Sequence, residues 1–151
     1  MPESYVASTY TNLLVHIVFA TKGRKPTIKE DWIKDLHAYI GGIVRRLGAT
    51  PIAVGGVADH VHILVLLKAT QNVADLVREV KKGASDWANE KYRGFAWQVG
   101  YAALSVGRRE RDAVVAYVHN QEEHHKRESS ADELRRILEE CGIEYDPRYF
   151  E

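Results

Sequence analysis

Two apolar runs, residues 49–57 and 60–67, are separated only by Ala58 and Asp59. A two-residue connection between strand-like runs permits a hairpin and little else. That hairpin fixes the middle of the chain and so constrains both flanks. Before it, residues 10–20 form a β-branched and aromatic run that includes His16 and ends in the polar stretch 21–27. This reads as a buried strand followed by a loop. Residues 28–47 carry helical spacing, with Ile33, Leu36, Ile40, Ile43 and Leu47 on one stripe and Gly48 as a stop. After the hairpin, residues 72–92 repeat that pattern, with Leu76, Val80 and Trp87 on the inner side. Residues 97–106 read as a fourth strand. Gly55 and Gly56 mark a weak spot or bulge in the second strand. A helix is expected over 110–125 and a short amphipathic one over 131–141, before a tail over 142–151.

The order strand, helix, strand, strand, helix, strand predicts an α+β fold, a ferredoxin-like antiparallel sheet with C-terminal helices added. Two helices would cover one sheet face. The other would be free for a ligand, a partner subunit or the C-terminal helices. A chain of 151 residues suits one domain over 1–151, with a disordered start over 1–8 and a helix and tail over 130–151. No apolar run is long enough to span a membrane, and no signal peptide is recognisable. The lone Cys141 excludes an internal disulfide, and these features together predict a cytoplasmic location.

Within the hairpin, His60 and His62 lie two apart in a strand and so project to the same face. Two neighbouring imidazoles can share one metal ion, and polar groups within an apolar strand are costly unless satisfied. Asp59 could orient an imidazole from behind or serve only as the turn residue. A zinc deaminase site would need His-x-Glu and Cys-x-x-Cys. Val61-His62 and a single cysteine exclude it. In the late helix, Tyr117 and Gln121 are one turn apart on one face. An amide oxygen at Gln121 can ligate magnesium or manganese. A phenol, whose pKa is ordinarily near ~10, needs such help to act as a nucleophile at neutral pH. His119, His124 and His125 could contact phosphate, tune a metal or stand in solvent.

Lysine plus arginine balances aspartate plus glutamate at 21 each, so nucleic acid could be held only by local patches. Lys22, Arg24 and Lys25, then Lys81 and Lys82, Arg108 and Arg109, and Lys126 are the candidates for phosphate contact. Tyr92 and Trp97 are near enough in sequence to stack bases. No glycine-rich phosphate loop is present, so no nucleotide cofactor is expected.

Taken together, Asp59-His60-Val61-His62 and Tyr117-Val118-His119-Asn120-Gln121 resemble the motifs of the single-tyrosine HUH transposases of IS200-like insertion sequences. The resemblance extends from the opening run at Tyr10 through Gly94-Phe95-Ala96-Trp97-Gln98 to the end of the chain. It implies a ferredoxin-like homodimer in which His60, His62 and Gln121 bind Mg²⁺ or Mn²⁺ and Tyr117 is the nucleophile. It also implies cleavage and rejoining of single-stranded DNA through a 5′-phosphotyrosine, recognition of hairpins near element ends, and a site that the partner's tyrosine helix could complete. Two other readings stay open. One is a non-catalytic or domesticated module that binds hairpins. The other is a metal-dependent phosphoesterase that releases its product to water.

Overall fold

The computed structural model describes residues 8–150, so the expected disordered start lies, but for Ser8, outside the described residues. The strands are β1 (Leu13–Ala20), β2 (Thr50–Val57), β3 (His60–Leu67) and β4 (Ala102–Ser105). The helices are α1 (Ile33–Arg46), α2 (Val73–Ala88), α3 (Arg111–His119), α4 (Gln121–His124) and α5 (Ser130–Glu140). The sheet runs β2-β3-β1-β4, with every neighbouring pair antiparallel. This is the expected ferredoxin-like α+β arrangement.

Strand alternation sorts the core. Ile17, Phe19, Val61, Ile63 and Val65 face one way and pack on α1 and α2 through Leu36, Ile40, Ile43, Leu76, Val80 and Ala84. Leu14, Leu64 and Ala53 face the other way and pack on Val118 of α3, while Val18 and Ala102 meet Leu138 of α5. The second face is therefore covered by the C-terminal helices, one of the three occupants its apolar residues allowed. Both faces are buried, so β3 reads as an almost continuous apolar run interrupted only by its histidines.

Several boundaries differ from those expected. Helix α1 begins five residues late because the Ile28 amide is committed to the Ala58 carbonyl at 3.0 Å, tying this segment to the hairpin turn. Asn72 is the cap of α2 and not part of it; its side chain accepts from the Asp75 amide at 2.8 Å. Strand β4 is short because Gly100 takes a positive φ of 92°, leaving Trp97 to a single bridge with Thr21. The helix expected over 110–125 is broken at Asn120 (φ −103°, ψ 24°) into α3 and α4. The irregularity in β2 falls between Pro51 and Ala53, not at the glycine pair. Gly55 stays in register opposite His62 and has a different task. An ideal Cβ there would lie 3.0 Å from the Val118 carbonyl carbon and closer still to its oxygen. Its missing side chain lets α3 lie directly on the sheet.

Candidate active and metal site

The histidines of β3 project from the second face toward α3, α4 and α5. His60 and His62 are 1% and 0% exposed, and Gln121 and Glu133 are each 1% exposed. Such a polar cluster survives burial only if its members satisfy one another, and they do. The Nδ1 atom of His60 meets Asp59 Oδ1 at 2.8 Å, and Ser130 at the start of α5 donates to the other Asp59 oxygen at 2.9 Å. The Nδ1 atom of His62 meets Nε2 of His16 from β1 at 2.8 Å, with the two rings stacked 5.0 Å apart. With both Nδ1 atoms engaged, the two Nε2 atoms turn inward. Holding one ring nitrogen so that the other can ligate is how imidazole metal ligands are oriented.

Four further groups close around those nitrogens. Gln121 Oε1 lies 3.2 Å from His60 Nε2 and 2.9 Å from His125 Nε2. Glu133 Oε1 lies 3.2, 3.0 and 3.2 Å from the Nε2 atoms of His60, His62 and His125. The ligand atoms of His60, His62, His125 and Glu133 all fall within 4.8 Å of one another. Tyr117 stands beside them, its ring 5.7 Å from that of His62. Its hydroxyl donates to Glu133 Oε2 and faces Arg136 Nη2 at 3.2 Å. Arg136 also grips Glu128, Nη2 to Oε1 at 3.1 Å, which anchors α5 to the segment after α4. The break at Asn120 does not separate Tyr117 from Gln121, because the Gln121 side-chain Nε2 donates to the Tyr117 backbone carbonyl at 3.1 Å.

The electrostatics follow from burial and from this network. Burial alone would lower the pKa of His60, but its hydrogen bonds to Asp59 and Glu133 and their negative charges outweigh that and raise it to about 9. His62 is lowered, because burial and the neighbouring imidazoles prevail over Glu133. Burial, with the adjacent His62, brings His16 down to about 3, so it remains a neutral partner. Burial would raise Glu133, yet its hydrogen bonds from His125, His60 and His62 hold the carboxylate far below its usual range. Tyr117 is raised, first by burial and then by the facing Glu133, so in this arrangement it is a neutral phenol.

The donor set suits a divalent cation, with two inward imidazole nitrogens and an amide oxygen on adjoining elements. His60 and His62 from β3, Tyr117 from α3 and Gln121 from α4 converge within one chain. Asp59 lies directly behind His60. The pattern of the sequence does not single out His16, Glu133 or Arg136. Glu133 has one legible signal: it precedes Ile137 by one helical turn and so falls on the apolar stripe of α5. His125 likewise follows Gln121 by one turn.

The candidate phosphate-binding residues are dispersed. Lys22, Lys25, Lys82, Arg108, Arg109 and Lys126 are exposed, and Lys126 pairs with Glu123 at 2.9 Å. Lys81 is committed to the carbonyls of Gln98 and Gly100 at 2.9 and 2.7 Å. Arg24 reaches Ser130 Oγ at 3.5 Å and lies over the Phe150 ring. Lys22 and Lys25 do gather with Arg93 and Tyr92 around a cavity of about 530 Å³. Thr27 lines it too, and its buried hydroxyl has no partner among the described residues. Arg93 extends this patch beyond the residues singled out from the sequence. Among the described residues no helix is long and apolar enough to cross a membrane.

Comparison with known proteins gives this geometry a context. A candidate transposase from Deinococcus radiodurans R1 superposes with a TM-score of 0.63 at 21% identity, over 78% of this chain and 96% of that one. The structure of a REP-associated tyrosine transposase bound to a REP hairpin gives 0.57 at 16% identity, over 78% of this chain and 70% of that one. At these identities the likeness is one of fold. No curated protein matches the sequence. The family model described as "Transposase IS200 like" matches residues 9–121, a span that holds β1 through Gln121 and hence both histidines and the tyrosine. The chain belongs to the IS200-like transposase family.

Proposed function

We propose that this transposase cuts and rejoins single-stranded DNA by transesterification, with Tyr117 as nucleophile. The observation that carries the reading is the convergence of His60, His62, Gln121 and Tyr117 within a single chain. The phenol oxygen forms a bond to the scissile phosphorus, the P–O3′ bond breaks, and the 3′-oxygen leaves as a hydroxyl. The product is a 5′-phosphotyrosine. Attack by a 3′-hydroxyl on that linkage reverses the exchange and restores both the phosphodiester and the phenol. The ester is conserved throughout, so no external energy source is required.

His60, His62 and Gln121 would hold Mg²⁺ or Mn²⁺, which when bound supplies positive charge to the scissile phosphate. Asp59 and His16 fix the ring orientations of the two histidines. In this arrangement the Tyr117 hydroxyl is held by Glu133 of α5, which in our reading is a resting state. Attack requires α5 to release the phenol. The homodimer implied by the family resemblance would then serve to hold two DNA ends, since one chain already supplies every group. Lys22, Lys25, Arg93 and Tyr92 would receive a DNA backbone and a base, a reading supported by their gathering around one cavity. The REP hairpin in the related complex favours a hairpin as the ligand.

The test is incubation with single-stranded hairpin DNA and manganese, followed by a denaturing gel. A covalent adduct lost in Tyr117→Phe is expected. Cleavage that survives this substitution would identify a phosphoesterase instead, and binding without cleavage would identify a module.

A further inference from the structure

The site contains more ligands than the catalytic reading uses. His125 and Glu133 have no part in the set formed by His60, His62 and Gln121, yet both point their ligating atoms into the same space. Glu133 Oε1 is 3.2, 3.0 and 3.2 Å from three imidazole nitrogens. Four ligands at ~2.0–2.1 Å from a tetrahedral zinc ion are separated from one another by about 3.3 Å. The ligating atoms of His60, His62, His125 and Glu133 lie within 4.8 Å of one another, so a small closure brings all four to that spacing around one ion.

We infer that His60, His62, His125 and Glu133 form a closed zinc site, formed when α5 is docked and distinct in ligand set from the catalytic magnesium or manganese site. Three imidazoles and one carboxylate suit zinc. Magnesium prefers oxygen ligands and retains several waters. The side chains of His60, His62 and Glu133 are at most 1% exposed and that of His125 is 9% exposed, the enclosure typical of structural zinc sites. Each outer contact fits this assignment. Asp59 and His16 hold the Nδ1 atoms of His60 and His62, and the Glu128 carbonyl meets Nδ1 of His125. The second oxygen of Glu133 receives the Tyr117 hydroxyl, so the carboxylate that would ligate zinc also restrains the nucleophile. A neighbouring cluster of His124, Glu128 and Glu133 is not a second cation site, because the Arg136 guanidinium already neutralises Glu128. The inference shares His60 and His62 with the proposed function but does not require Tyr117 to be a nucleophile.

Cobalt titration of the chelator-stripped full-length protein tests it, because four-coordinate cobalt absorbs visible light far more strongly than six-coordinate cobalt. One equivalent should give the strong four-coordinate spectrum, zinc should displace it, and excess magnesium should not. Glu133→Gln and His125→Ala should each weaken zinc binding at least tenfold, with folding checked by circular dichroism. Gln121→Ala should retain the strong spectrum. A faint six-coordinate spectrum in the folded wild type would overturn the inference even if the variants fail to fold. So would unchanged zinc affinity in both ligand variants. Either result would leave manganese-dependent adduct formation as the separate test of the catalytic reading.

Discussion

Replacing Gly55 by alanine perturbs the helix of the proposed nucleophile without touching a site residue. The new methyl would meet the backbone of Val118, the residue after Tyr117, with its carbon at 3.0 Å and its Cγ1 at 3.2 Å. The obstacle is main chain, so no rotamer change relieves it. Restoring ordinary contact with the carbonyl oxygen requires α3 to retreat from β2 by roughly 1 Å. Overpacking of this kind costs about 1–3 kcal/mol, and the reduced freedom of the unfolded chain returns about 0.4–1 kcal/mol. The net loss is about 1–2 kcal/mol, or roughly 2–8 °C in Tm for a chain of this size. A 1 Å displacement of a reacting group costs on the order of 100-fold in rate, so covalent adduct formation should fall far more than folding does. Differential scanning fluorimetry and a single-turnover adduct assay measure the two effects. Gly42→Ala is the control: a Cβ there meets nothing within 4 Å, and the change should stabilise α1 by about 0.5–1 kcal/mol. A Gly55→Ala protein with wild-type Tm and adduct rate would refute the claim that this glycine seats the tyrosine helix.

Asp59→Asn removes the negative charge behind His60 and should weaken manganese binding by about 10–100-fold; unchanged affinity by calorimetry would show that Asp59 serves only the turn. His37 lies on α1 away from the site, and burial brings its pKa down to about 4. As pH falls from ~6.5 toward 4 the unfolded chain binds a proton that the folded chain refuses, so stability declines in that window, by at most about 3 kcal/mol. His37→Gln should flatten this part of the pH–stability curve, and identical curves for the two proteins would contradict the assignment.

The parity of β3 was enough to place His60 and His62 on one face, and the two-residue turn was enough to define the hairpin. Helical spacing also related Tyr117 to Gln121, a relation that survives the break at Asn120 because Gln121 bonds back across it. What the sequence conceals depends on register and on close approach between distant elements. His16 is one histidine in an apolar run until the pairing of β1 with β3 brings it against His62. Gly55 reads as a weak point in a strand, and only the approach of α3 gives it a purpose. Glu133 lies in an acidic-looking helix; that α5 folds back over the second sheet face is a tertiary fact no local pattern contains. Lys81 reads as a free surface cation but is drawn down onto two carbonyls.

Mass spectrometry of the protease-digested reaction would test the central claim most directly. After incubation with a single-stranded hairpin and manganese, the peptide containing Tyr117 should carry a nucleotide linked through a 5′-phosphate. A linkage at any other residue, or efficient cleavage with no modified peptide, would contradict the account.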